Sequence, residues 1–256
     1  MFPLKRLISR AGRNRAFPRR LPEVLGGARI YASTEGGLKY LRRDFMSIDP
    51  SLTNFALEHI KPGDSVWDIG ANLGLFTFTA AGLAGPKGKV FAIEPDTWLV
   101  MLLRRAASVN NGAAFADVRV LPVAVSRSVG IAPFFLANQS RATNALIGHG
   151  NSTTGGVREL QYVPTFSLDS LLEQLPAPDI VKVDVEHAEV EVLLGGLRLL
   201  SQVRPVMLLE VSPDNQDFVT EILVGSDYQM FDGELGGQVD RATWTTIAIP
   251  NPQSTA

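Results

Sequence analysis

Two short stretches concentrate the side chains that could do chemistry. The first is Val66-Trp67-Asp68-Ile69-Gly70-Ala71-Asn72-Leu73-Gly74, with Glu94 closing the next apolar run. Glycines at such a turn let the backbone approach a ligand with no Cβ in the way. Asp68, Gly70, Ala71, Asn72, Gly74 and Glu94 are therefore the candidate ligand-binding residues. Glu94 stands 24 positions after Gly70, where a carboxylate can accept both hydroxyls of a ribose. The second stretch is Val181-Lys182-Val183-Asp184-Val185-Glu186-His187-Ala188-Glu189, an apolar run that breaks into three acids and a histidine. Asp184, Glu186 and His187 are the candidate catalytic groups, able to orient a hydroxyl, take its proton or bind a divalent ion. Within that set the two carboxylates are the expected pair. His187 reads as an exposed residue at a helix start, and Glu189 as an acid complementing the helix dipole.

Alternating elements must position these groups. Residues 65–69, 89–93 and 118–121 read as buried strands, separated by helices at 75–83 and 97–109. Strands at 179–184 and 205–210, with helices at 168–175, 189–200 (ended near Gly195-Gly196 or slightly later) and 216–223, resume the pattern. Such a βαβ order requires a mostly parallel sheet with right-handed crossovers. Residues 228–231 and 244–249 read as a terminal hairpin pair. A sheet order of 3-2-1-4-5 brings Asp184 beside the glycine turn at the carboxyl edge, where an open α/β sheet binds ligands.

The glycine spacing is G-x-x-x-G rather than the dinucleotide G-x-G-x-x-G. A carboxylate just before the first glycine suits the ammonium of a methionine moiety, directly or through water, and repels a pyrophosphate. Together these features favour S-adenosyl-L-methionine over a nicotinamide cofactor. A tight turn with a surface acid is the bland alternative.

Composition adds broad limits. Of 256 residues, 45% are hydrophobic and 20% charged, and the net charge is −2, an ordinary globular balance that offers nucleic acid no bulk attraction. Cysteine is absent, so no disulfide or thiolate metal site can form. The expected location is cytoplasmic, and no apolar run is long enough to span a bilayer.

Residues 1–20 hold seven basic residues and no acid, leaving 17 basic against 26 acidic residues beyond them. A solvated basic tail over 1–27 is the plain reading. A peripheral contact with an acidic lipid or partner, and a targeting role, stay open. Residues 28–50 are expected to form a small strand or hairpin extension turning at Gly36-Gly37. The main domain is placed at 51–250, opening with a helix capped by Ser51. Residues 126–164, rich in Gly, Ser, Thr and Asn, read as an irregular stretch, either a lid or a surface excursion.

With these motifs in view, the chain resembles the FkbM family of methyltransferases. The resemblance rests on Asp68-Ile69-Gly70-Ala71-Asn72-Leu73-Gly74, Phe91-Ala92-Ile93-Glu94-Pro95 and Lys182 to Glu189, and covers about residues 50–212. It implies the Rossmann-like class I methyltransferase fold, a mostly parallel sheet with a terminal antiparallel strand. It also implies O-methylation of a small molecule, sugar or glycolipid. By position, Asp68, Gly70, Asn72 and Glu94 would contact the cofactor, and Asp184 and Glu186 would stand at the reaction centre. The family pattern has glycine where this chain has His187, a departure at the acceptor side.

Methyl transfer to a weakly acidic hydroxyl benefits from a nearby carboxylate or histidine, and Asp184 or Glu186 is the expected base. The same pair could hold Mg²⁺, although hard cations take more oxygen ligands than two carboxylates supply. No metal is assigned. A nicotinamide-dependent oxidoreductase and a non-catalytic cofactor-binding module are the rival readings.

Overall fold

The apolar runs assemble as a parallel sheet. The computed structural model describes residues 15–34, 38–42, 44–112, 114–137, 145–146 and 157–252. Its central strands are β3 (Ser65–Ile69), β4 (Lys89–Ile93), β5 (Asp117–Leu121), β10 (Ile180–Val183) and β11 (Val206–Glu210). They lie side by side in the order β5-β4-β3-β10-β11, all parallel. This is the expected 3-2-1-4-5 order. The chain leaves β3 toward one edge and returns at β10 on its other side, so the carboxyl ends of β3 and β10 form the switch point of the sheet. The antiparallel strand β14 (Thr245–Pro250) pairs with β11, and β12 (Tyr228–Asp232) and β13 (Gln238–Val239) extend the sheet beyond it.

Side-chain alternation explains the three layers. Val66, Val90, Ala92, Ile180 and Leu208 face α1 (Pro50–His59), α2 (Leu75–Ala84) and α3 (Thr97–Val109). Trp67, Ile69, Phe91, Val181, Val183, Met207 and Leu209 face α4 (Leu168–Leu172), α5 (Glu189–Leu194) and α6 (Gln216–Gly225). Buried on both faces, the central strands read as continuous apolar runs. Helix starts follow their caps. The Asp96 carboxylate accepts from the amides of Trp98 and Leu99, which starts α3 where the sequence reading placed it. For α1 the cap is Asp49, which accepts from the Leu52 amide, with Pro50 in the first turn, and not Ser51. Helix α5 ends at Leu194, at the Gly195-Gly196 stop expected from the sequence, and a π turn spans Leu199–Val203.

The N-terminal region departs from the expected tail. β1 (Phe17–Arg20) pairs antiparallel with β2 (Arg29–Ala32), so ordered structure begins well before residue 28. Leu21 and Leu25 are buried in the main core. Arg19 donates to the carbonyls of Tyr40 and Arg42 and stacks over the Phe45 ring. Asn110, at the end of α3, exchanges two hydrogen bonds with the backbone of Arg29. Gly26 packs so closely on Gly82 of α2 that a Cβ on Gly26 would lie 2.5 Å from the Gly82 Cα. The charges on residues 1–20 masked this packing in the sequence. Residues 1–14 and the expected turn at Gly36-Gly37 lie outside the described residues.

The stretch 126–164 is not irregular throughout. β7 (Gly130–Ala137) and β9 (Val157–Phe166) form a long antiparallel ribbon, flanked by β6 (Ala124–Val125) and β8 (Ala145–Leu146). Phe134, Leu136, Leu146 and Val163 form the ribbon's own small core. The segment His149 to Gly156, expected as the centre of a lid, lies outside the described residues. Among the described residues no helix is long and apolar enough to cross a membrane.

Candidate active site

The chain turns sharply as it leaves β3. The amides of Gly70 and Ala71 both donate to the Ile93 carbonyl, which pins the turn to β4. Gly70 has φ +76°, and a Cβ there would lie 1.8 Å from the Asp184 carbonyl oxygen, so only glycine fits between β3 and β10. Asn72, with φ +50°, holds the next left-handed position. Its amide donates to Glu94 Oε2 at 2.9 Å, and the Asp96 amide donates to Glu94 Oε1 at 2.9 Å. The Glu94 carboxylate is thus fixed by the backbone at the end of β4. Burial, aided by the Asp96 charge and opposed by these amides, pushes Glu94 up to about 7.

A solvent-open cavity of about 620 Å³ lies along this edge, walled by Gly70, Asn72, Glu94, Phe134, Asp184 and Glu186 among others. Three expected contacts lie off it. Gly74 packs against Phe78 and Leu103, and Ala71 is buried without lining the cavity. Asp68 is fully buried and faces inward: the Thr77 hydroxyl donates to one oxygen at 2.6 Å, and the Lys182 ammonium lies 3.1 Å from the other. Asp68 therefore holds its neighbours in place instead of contacting the cavity.

Lys182 joins the two motifs. Its ammonium donates to the Gly70 carbonyl at 2.8 Å and pairs with Asp68 and, at 3.2 Å, with Asp184. Burial opposes the charge, but the two carboxylates outweigh it and hold Lys182 above the ordinary lysine value. After Asp184 the chain passes through two left-handed residues, Glu186 at φ +39° and His187 at φ +68°. This conformation accounts for a glycine in the family pattern. His187 lines neither this cavity nor the smaller one beyond Asp184. The departure from glycine thus falls at a left-handed backbone position outside the lining of both cavities. Glu189 accepts from the His187 amide, the Ser212 hydroxyl and the Asn215 amide group, so it fastens the start of α5. Burial first, then Asp184 and Glu189, push Glu186 up to about 7.

On the far side of Asp184 lies a second cavity of about 300 Å³, lined by Asp49, Lys182, Asp184, Glu210 and Thr245. Asp184 lines both cavities. Glu210, the last residue of β11, was absent from the sequence candidates. Its only signal was an acid closing an apolar run, which Glu94 and Asp184 share. Lys182 was also passed over, although a lysine inside a buried strand requires a partner. Among the described residues no group of three or more His, Asp and Glu side chains converges to hold a metal ion.

Residues 68–238 match the methyltransferase FkbM domain, more than half of the chain. The chain belongs to the FkbM methyltransferase family. The nicotinamide-dependent oxidoreductase reading is thereby set aside, and S-adenosylmethionine is the cofactor of the family. The FkbM match takes in both motifs, from Asp68 through Glu94 to Glu189. Hexuronic acid methyltransferase AglP of Haloferax volcanii is 34% identical over 170 residues, spanning 65% of this chain and 64% of that protein. The crystal structure of methyltransferase FkbM from Methylobacillus flagellatus KT has 19% identity and a TM-score of 0.49, covering 83% of this chain and 56% of the other. Aeropyrum pernix fibrillarin, solved with S-adenosyl-L-methionine, has 11% identity and a TM-score of 0.44, covering 91% of this chain and 82% of the other.

Proposed function

We propose that this FkbM methyltransferase binds S-adenosylmethionine in the larger cavity and O-methylates a hydroxyl of a sugar acceptor. The observation that carries the reading is Glu94. Its two oxygens are pinned by the Asn72 and Asp96 amides at the carboxyl end of β4, at the cavity wall. Each oxygen retains a lone pair, so the carboxylate can accept the two hydroxyls of a ribose. Gly70 leaves the turn without a side chain beside the ligand, and Phe134 and Leu146 supply apolar wall.

When bound, the cofactor supplies a methyl group activated by a sulfonium. The chain's residues align the acceptor and exclude water from the cavity. Asp184 and Glu186 line the same cavity as Glu94, and their carboxyl groups can orient an acceptor hydroxyl. A sugar acceptor is supported by the name of the H. volcanii relative, whose match spans 64% of its length. A hydroxyl is favoured over a sugar carboxylate because the carboxyl groups of Asp184, Glu186 and Glu210 line the two cavities, and a hydroxyl, unlike a carboxylate, must lose a proton on methylation.

The test is incubation of the protein with methyl-labelled S-adenosylmethionine and a set of hexuronosides. Hydroxyl methylation gives a label that survives mild alkali, because it forms an ether. Label released by alkali marks a methyl ester and transfers the reading to the carboxyl group. Labelling of neither overturns the sugar acceptor.

A further inference from the structure

We infer that Glu210, in the second cavity, is the group that takes the proton of the acceptor hydroxyl, with Asp184 at the edge that the cofactor and acceptor cavities share. The inference rests on the proposed sugar O-methylation and deepens it. The register of β10 against β11 pairs Val183 with Leu209, so Asp184 and Glu210 follow side by side at the carboxyl edge. Asp184 lines both cavities, whereas Glu186 lines the first alone and Glu210 the second alone. An acceptor seated in the second cavity meets a methyl donor in the first across Asp184.

Of the three acids, Glu210 is the one available to accept a proton from that side. Asp184 is committed to the Lys182 ion pair. The Glu210 carboxylate accepts no hydrogen bond and forms no ion pair among the described residues. Around it stand Lys182 from β10, Asp184 and Glu186 from the turn that follows it, Lys39 from the turn before α1, and Asp49 across the cavity. Burial, then the Asp184 charge, push Glu210 up to about 8. That proton affinity suits a base working near neutral pH. In the reaction the acceptor oxygen bonds to the methyl carbon and the carbon–sulfur bond breaks. Its electron pair stays on sulfur as a thioether, and the hydroxyl proton passes to the Glu210 carboxylate.

The test pairs spectroscopy with kinetics. In cofactor-free protein, infrared difference spectra should show a protonated-carboxyl band lost as pH rises through about 8, above those of Glu94 and Glu186 near 7, absent in Glu210→Gln and shifted to lower pH in Asp184→Asn. With a hexuronoside that the wild type methylates, kcat/KM should rise with pH over the same range. Glu210→Gln should lose that limb and about 10²–10⁴-fold in rate, with S-adenosylmethionine affinity kept in calorimetry. Glu210→Asp, which keeps a carboxylate, should retain a pH-dependent limb and guards against a folding defect in the amide variant. A Glu210→Gln enzyme with the wild-type rate and pH profile overturns the inference, as does a band titrating near 8 that persists in that variant. If the wild type methylates no hexuronoside, the sugar reading fails by itself, and the infrared titration decides Glu210.

Discussion

A Cβ on Gly70 would lie 1.8 Å from the carbonyl oxygen of Asp184, so the cofactor turn and the acidic motif are in backbone contact across β3 and β10. Gly70→Ala must force these strands apart, and its φ of +76° adds left-handed strain. We expect loss of measurable S-adenosylmethionine binding in calorimetry and a clearly lowered melting temperature. A Gly70→Ala protein that binds as the wild type would show that the two turns separate freely.

Leu21 and Leu25 tie residues 15–27 to the core. Leu25 is fully buried, and Leu25→Ala should cost about 2–5 kcal/mol. In a domain of this size that is a fall of roughly 2–4 °C per kcal/mol in thermal unfolding. An unchanged melting temperature would return this segment to the status of a solvated tail.

Stability should fall as the solution becomes alkaline. Glu94 and Glu186 are raised to about 7 and Glu210 to about 8, above the ordinary 4.5. The folded state thus keeps protons that the unfolded chain releases. This contribution is full below about 4.5 and is lost as pH rises through 7 to 8. Calorimetric melting temperatures should drop between about pH 4.5 and 8, and the drop should be shallower in Glu210→Gln. Equal slopes in the two proteins would mean that Glu210 does not hold a proton on folding.

His187 holds a left-handed backbone, at φ +68°. His187→Gly should relieve about 1–2 kcal/mol of backbone strain, partly offset by the entropy of glycine in the unfolded chain. The melting temperature should rise or hold, and methyl transfer should persist. Abolished transfer with intact folding would mark His187 as a catalytic group.

The parts of the fold legible in the sequence were those where local and tertiary signals agree. Helix α3 shows both its apolar face and its Asp96 cap. The central strands are apolar on both faces because both are covered. The β7–β9 ribbon was hidden by Pro133 and Pro164, since proline within an apolar run argues against a strand. Phe17–Arg20 was hidden by its arginines, whose hydrogen bonds and stacking appear only once Tyr40, Arg42 and Phe45 fold against them. In the site, Gly70, Asn72, Glu94, Asp184 and Glu186 could be read because a carboxylate or glycine at a strand end has few structural uses. Asp68 was read as a ligand contact because its partner, Lys182, lies more than a hundred positions away. Glu210 is equally remote in sequence from Asp184's cavity and shows its place only through the β10–β11 register.

The decisive measurement is calorimetric titration of S-adenosylmethionine into the wild type and Glu94→Ala. The wild type should bind one equivalent and show no comparable affinity for NAD. Loss of hydrogen bonds to a charged carboxylate should weaken Glu94→Ala by about 1.5–3 kcal/mol, or roughly 10–150-fold. Equal affinity in the two proteins, with Glu94→Ala folded, would contradict cofactor binding at the end of β4.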